Sequence, residues 1–311
     1  MQFFYRSSEA TAAIQENGRD LCPASAETAI CQRDLPSFLV LGPPRTGTSW
    51  LHDVLSRHAR LPEPTKETRF FDRHFERGLS WYLGHFPVAS GERLTGEVAP
   101  TYFASPAARH RVARTLPHAK LVVIFRHPVQ RLVSMYRMKR AYGMFGWSLE
   151  EALERDPELM ASGRYATHLR QWQSLFSAEQ IRICLFDELS RNPQAFVDRV
   201  AKHVGIARFS LHRSQLAQVY SAARLTVPRS FLVTRAAVSM ADWCKARRFD
   251  AVVAGVRNSG LMKLFVGGGA PFPEVPSQTL ARITDLLLPE IEELEAMLDR
   301  DLTAWKRPPD S

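Results

Sequence analysis

Apolar positions along this chain fall into two kinds of run. Short, near-continuous ones lie at 37–42, 120–125 and 181–186. Each has the length of a strand and ends at turn residues, the signature of a strand buried on both faces of a parallel sheet. Between them, apolar residues recur at helical spacing over 47–59, 106–115, 129–140 and 193–205. A small amphipathic helix is predicted at 79–86, with Trp81 and Tyr82, and a short strand at 95–99. Leu61–Pro64 breaks the chain, and 66–72 reads as a short extended piece. The stretch 148–176 is mostly helical and interrupts the sheet. From 208 to 275 the pattern weakens, with Gly267, Gly268 and Gly269 marking loops. A closing helical segment spans 279–302, with Pro289 as a break or restart. No internal repeat is visible. Strands alternating with helices predict an α/β fold: one domain over 35–311, a parallel sheet flanked by helices on both faces, with helical insertions. A polar, irregular N-terminal arm, 1–34, precedes it. Ligands of such sheets bind at the carboxyl ends of the strands.

Composition narrows the class. The chain has 311 residues, 45% of them hydrophobic, and no apolar run approaches a membrane span. Met1–Arg6 has no basic region ahead of a long apolar core, so no signal peptide is expected. Cys22, Cys31, Cys184 and Cys244 form neither a metal spacing nor a dense framework. Reduced thiols in a cytoplasmic protein are the simplest reading. The net charge is +9, which suits nucleic acid, a membrane surface or acidic small molecules. The basic residues are dispersed and no aromatic–basic platform stands out, which favours a small acidic ligand over nucleic acid.

Chemistry enters at the end of the first strand. Gly42, Pro43 and Pro44 make a tight turn, and a helix then starts at Thr46, Gly47, Thr48 and Ser49. A glycine loop feeding a helix N-terminus is a phosphate-binding device, because free backbone N–H groups face the anion. The Gly42–Gly47 spacing fits a P-loop-like motif, yet the lysine position holds Thr48. A nucleoside triphosphate site needs that lysine. The positive side chain here is Arg45, inside the loop. A second anion motif follows the run at 120–125: Arg126 ends the strand, Pro128 opens a helix, and Ser134 lies on it. A guanidinium fork and a hydroxyl can both reach one phosphate. A kinase would place a magnesium-binding acid where Arg126 stands, so metal-independent chemistry is expected.

The Pro44–Trp50 loop resembles the 5′-phosphosulfate loop of sulfotransferases, which use 3′-phosphoadenosine 5′-phosphosulfate (PAPS). Arg126–Ser134 looks like their 3′-phosphate motif. The resemblance implies PAPS binding through Pro44, Arg45, Thr46, Gly47, Thr48, Ser49 and Trp50 at one end and Arg126 and Ser134 at the other. It places Trp50 against the adenine, although a large apolar residue on a helix is as readily core. Tyr220–Ser230 resembles a later segment near the cofactor and offers Arg229 as a further phosphate contact. Arg45 would serve the leaving phosphate by charge alone, since arginine keeps its proton; its other reading is a partner for a loop carboxylate.

Lys66–Asp72 resembles the K-E-x-x-F-F-D segment of glycan sulfotransferases related to the heparan sulfate enzymes, whose base is the glutamate. That role falls on Glu67, with Lys66 assisting. Other sulfotransferases use histidine, leaving His52, His58, His74 and His85 open, with a slight preference for His74. Gly78–Pro87 and Gly96–Phe103 are similar to further segments of the same enzymes, but Val98 stands where they carry a lysine; Arg69 or Arg73 are the candidate substitutes. Leu298–Trp305 is similar to their closing helix. The expected activity is sulfuryl transfer from PAPS to a hydroxyl or amine of a small-molecule or glycan acceptor. A small-molecule kinase with a degenerate P-loop and a non-catalytic nucleotide-binding protein are the alternatives.

Overall fold

Along β1 (Phe38–Val40) and the residue after it, side chains alternate between two cores. Phe38 and Val40 join one apolar cluster, Leu39 and Leu41 the other. That is the two-residue period of a strand with no solvent face. β2 (Gly96–Val98), β3 (Lys120–Phe125) and β4 (Ile181–Leu185) complete the sheet. Its order is β2-β1-β3-β4 and every pairing is parallel. The computed structural model describes residues 35–88, 93–220, 226–246 and 268–309. These lie in one unit, Arg33–Ser311. Residues 1–34, with Cys22 and Cys31 and the expected N-terminal arm, lie outside the described residues.

Helices cover both faces. α1 (Thr48–Leu55) follows β1, and α2 (Gly78–Leu83) and α3 (Pro106–Thr115) flank β2 in sequence. α4 (Pro128–Ala141) leaves β3. The predicted helical insertion resolves into α5 (Leu149–Arg155), α6 (Glu158–Ala161) and α7 (Tyr165–Gln173). After β4 come α8 (Phe186–Arg191), α9 (Pro193–Val204) and α10 (Arg213–Tyr220). β5 (Thr226–Pro228), α11 (Phe231–Ala246) and β6 (Gly268–Pro271) lead to α12 (Ser277–Leu298). Leu51 and Val54 of α1 and Phe196, Val197 and Val200 of α9 pack on the Phe38 and Val40 side. Leu132 of α4, Leu169 of α7 and Ile283 and Leu287 of α12 pack on the other.

Four local expectations need correction. α1 stops at Leu55 rather than near 59, because Ser56 and Arg57 are exposed and His58 turns to stack on Phe209 at 3.6 Å. The 66–72 segment is not extended throughout: a π-helical turn runs Phe70–His74. Adjacent Phe70 and Phe71 are both buried in one cluster, which alternating strand positions cannot achieve. Gly268–Pro271 is not loop but the partner of β5 in an antiparallel pair, where backbone hydrogen bonds need no apolar pattern. α12 runs through Pro289 without a break, held by Leu287 and Ile291 in the core and by Glu290, which accepts from the Thr167 backbone and hydroxyl.

Candidate functional site

The loop between β1 and α1 is shaped by three left-handed residues: Gly42 at φ 77°, Arg45 at 76° and Gly47 at 87°. Left-handed turns of this kind gather successive N–H groups into an anion-binding concavity. Gly42 has a second reason to lack a side chain, since a Cβ there would lie 2.5 Å from that of Pro100. Thr46 is fully buried and donates from its hydroxyl to the Pro43 carbonyl at 2.8 Å, bracing the turn. The α1 N-terminus has no side-chain cap and no acid in its first turn. Its free N–H groups and the positive end of its dipole therefore stay available to an anion.

β3 and α4 bring the second motif to the same place. Arg45 Nε donates to Ser134 Oγ at 3.0 Å, so the two motifs meet side chain to side chain. Arg126 approaches the Arg45 carbonyl at 3.5 Å and lies over the Phe186 ring at 4.8 Å. Its Nε is buried with no hydrogen-bond partner among the described residues, and such an orphaned cationic donor suits a phosphate oxygen. Burial pushes both guanidinium groups below their ordinary range; Tyr142 partly offsets this at Arg45, and the neighbouring Arg45 charge adds to it at Arg126. Tyr165 donates to the Arg126 carbonyl at 3.0 Å and fixes the end of β3. Burial moves the Tyr165 phenol up to about 12.

Lys66 and Glu67 stand at the mouth of this concavity. Lys66 Nζ donates to Ser49 Oγ at 3.1 Å and lies 3.3 Å from Glu67 Oε1. One ammonium thus joins the phosphate loop to the carboxylate predicted as base. Thr48 is buried and Ser49 exposed.

Other candidates sit elsewhere. Trp50 is 8% exposed, packs in the α1–α9 core and donates its indole N–H to the Gln215 carbonyl at 2.8 Å, an arrangement that favours its core role. Arg229 follows β5, which packs against α4, and is exposed. His74 meets the edge of Trp81, and His85 bonds the Trp81 carbonyl. Of the four histidines, His52 is the one on α1 and feels the Lys66 charge; burial above all lowers its pKa. Val98 is fully buried beside Phe38 and Val40. Arg69 is paired with Asp72 at 2.6 Å. Cys184 is buried, and Cys244 is partly so.

Two contributors carried no assigned role in the sequence reading. Tyr165 left no local signal. Glu97 did: it is a carboxylate in an otherwise apolar strand. It is fully buried and accepts from Thr68 N at 2.8 Å, Thr68 Oγ1 at 2.7 Å and Tyr82 Oη at 2.8 Å. Among the described residues no group of three or more His, Cys, Asp or Glu side chains could hold a metal ion, and no helix is long and apolar enough to cross a membrane.

The sulfotransferase domain family model matches residues 35–246. This chain belongs to the sulfotransferase domain family. The matched span takes in the β1–α1 loop, Lys66 and Glu67, β2, and the Arg126–Ser134 motif, and it ends before α12. The chain is 28% identical over 303 residues to the bifunctional heparan sulfate N-deacetylase/N-sulfotransferase 2 of Bos taurus, covering 89% of this chain and 31% of that protein. The Mus musculus protein of the same description is 33% identical over 202 residues, 58% of this chain and 23% of that one. The chain therefore spans about a third or less of these relatives. A solved sulfotransferase from Alicyclobacillus acidocaldarius shares the fold, with a TM-score of 0.62 at 22% identity over 88% of this chain and 99% of that one.

Proposed function

We propose that this chain transfers a sulfuryl group from PAPS to a hydroxyl or amine of a glycan or small-molecule acceptor, with residues 35–311 as the sulfotransferase domain and 1–34 as an arm. The observation that carries this reading is the meeting of Arg45, Ser134 and Arg126 beside an uncapped helix N-terminus, with Lys66 linking that loop to Glu67. Arg126 and Ser134 hold the 3′-phosphate, and the Pro44–Ser49 backbone holds the 5′-phosphosulfate. Arg229 is a weaker phosphate contact from the β5 side. Trp50 serves the adenine pocket from within the core.

Glu67 takes the proton from the acceptor as its oxygen or nitrogen attacks sulfur. The bond from sulfur to the bridging phosphate oxygen breaks, and 3′-phosphoadenosine 5′-phosphate (PAP) leaves. Arg45 and Lys66 offset the charge that grows on the leaving oxygen. No step calls for a metal. The heparan sulfate relatives favour an amino sugar or sugar hydroxyl as acceptor.

Calorimetric titration with PAP in EDTA, against ATP with magnesium, tests the donor site. Labelled PAPS offered with N-deacetylated heparosan and with p-nitrophenol then tests transfer. Metal-free PAP binding and labelled product support the reading. Preference for ATP with magnesium overturns it in favour of a kinase. Tight PAP binding without transfer to either acceptor points to a non-catalytic nucleotide-binding protein, the reading that Val98 in place of the family lysine favours.

A further inference from the structure

Glu97 is fully buried, and among the described residues no cation pairs with it. Its partners are hydroxyls and one amide. Oε1 takes the backbone N–H and the hydroxyl of Thr68 at 2.8 and 2.7 Å, and Oε2 takes the Tyr82 hydroxyl at 2.8 Å. The Tyr102 hydroxyl reaches both oxygens at 3.4 and 3.3 Å and also touches Thr68 Oγ1 at 3.2 Å. Thr68 Oγ1 in turn accepts from Phe70 N at 3.1 Å. Thr68 directly follows Lys66 and Glu67. β2 pairs with β1 in register Glu97↔Leu39, so Glu97 belongs to the same sheet that launches the phosphate loop.

Burying a carboxylate without a countercharge is costly, so its hydrogen bonds must do something an apolar side chain cannot. Here they tie an irregular loop to the sheet at the residue next to the proposed base. Thr68 is only 3% exposed, while Lys66 and Glu67 keep about a quarter of their side-chain surface. The loop is thus anchored at Thr68 and open at Glu67.

We infer that Glu97 is a positioning residue: through Thr68 it clamps the Lys66–Glu67 loop to the edge of the sheet and so holds Glu67 and Lys66 against Ser49 of the phosphate loop. The inference rests on Glu67 being the base for its catalytic consequence, but the clamp itself does not. Hydrogen bonding, rather than charge, is the working feature. A glutamine at 97 keeps Oε1 for Thr68 and can donate its amide to the two tyrosine hydroxyls, which accept as readily as they donate. A valine at 68 keeps the shape of threonine and removes the hydroxyl.

The test compares Thr68→Val, Glu97→Leu, Glu97→Gln and Glu67→Gln in the full chain. Amide hydrogen exchange over 62–72 is read alongside PAPS turnover with N-deacetylated heparosan, or with water where that sugar is not accepted. Thr68→Val and Glu97→Leu should speed exchange over 66–71 at least tenfold and lower kcat at least tenfold, with KM for PAPS within twofold. Glu97→Gln should restore exchange protection and recover kcat to within about fivefold of the parent. If Glu97→Leu does not fold, Thr68→Val carries the test. Unchanged exchange and kcat in Thr68→Val overturn the clamp. A Glu97→Gln protein that keeps its exchange protection yet loses kcat as fully as Glu67→Gln also overturns it, because the charge would then be what matters. Full turnover by Glu67→Gln would instead overturn the base, while the exchange data still decide the clamp.

Discussion

Arg126 is the residue whose role is easiest to isolate. Its backbone is fixed by β3 and by Tyr165, its side chain lies over Phe186, and its Nε has no partner among the described residues. On the reading above that nitrogen belongs to the 3′-phosphate. Arg126→Ala should weaken PAP binding by about 10- to 100-fold, the worth of a charge-assisted hydrogen bond. Adenosine 5′-phosphosulfate lacks the 3′-phosphate, and its affinity should fall by less than about threefold. Parallel calorimetric titrations decide this, and an equal loss for both ligands contradicts the assignment.

Glu97 carries a pH signature of its own. Burial moves its pKa from an ordinary 4.5 to about 7, against the pull of the Thr68 and Tyr82 hydrogen bonds and with a further push from the Glu67 charge. The folded protein then holds a proton that the unfolded chain releases. Its contribution to stability is complete below about 4.5, falls as pH rises towards about 7, and is level above that. The size is on the order of 3 kcal/mol. The ionisable groups facing it are Tyr82 on α2, Tyr102 before α3 and Glu67. Both tyrosines are pushed well above 10.0, chiefly by burial, so neither titrates in this window. Urea unfolding of the parent and of Glu97→Gln from pH 4.5 to 8 should give a stability difference that grows in favour of the variant with rising pH. A difference independent of pH would show that Glu97 does not take up a proton in this range.

At the scale of elements, the β1–α1 loop depends on glycine at 42. A Gly42→Ala change adds a Cβ at positive φ, 2.5 Å from Pro100 Cβ. The left-handed conformation alone costs about 1–2 kcal/mol, and the backbone of Pro100 at 2.8 Å cannot yield as a flexible side chain would. Denaturant unfolding should show a loss of more than about 2 kcal/mol, accompanied by weaker PAP binding. This loop was legible in the sequence because glycine, proline and an apolar strand each leave a local mark. So did β3, α4 and the Arg126–Ser134 pair between them. The 66–74 turn was not, because two adjacent phenylalanines reach one core only through a local winding that periodicity does not encode. Nor was β6, whose glycines pair through their backbone, or the role of Tyr165, whose partner is 39 residues away. The role of Glu97 depends on the same kind of distant contact: its link to Thr68 exists only once β2 is laid beside β1.

Over the whole molecule, net charge is +9, and two guanidinium groups are gathered at one partly desolvated point. Arginine stays protonated at any working pH, so this concentration of charge opposes folding at a level that pH does not relieve. An anion bound there removes the opposition, and binding to the folded state alone stabilises it by mass action. At 100 times its Kd, PAP should add about 2.7 kcal/mol, raising Tm by roughly 4 °C for a chain of this size. The shift should persist in EDTA and shrink with added sodium chloride, since screening weakens what the arginines contribute. ATP with magnesium should give a much smaller shift, because its γ-phosphate meets no P-loop lysine where Thr48 stands, and no site acid at Arg126 receives the metal. Thermal melts followed by circular dichroism at two salt concentrations read all of this at once. A shift with ATP and magnesium equal to that with PAP would mean that the pair of arginines recognises phosphate charge in general, and that the 3′-phosphate has no place of its own at Arg126 and Ser134.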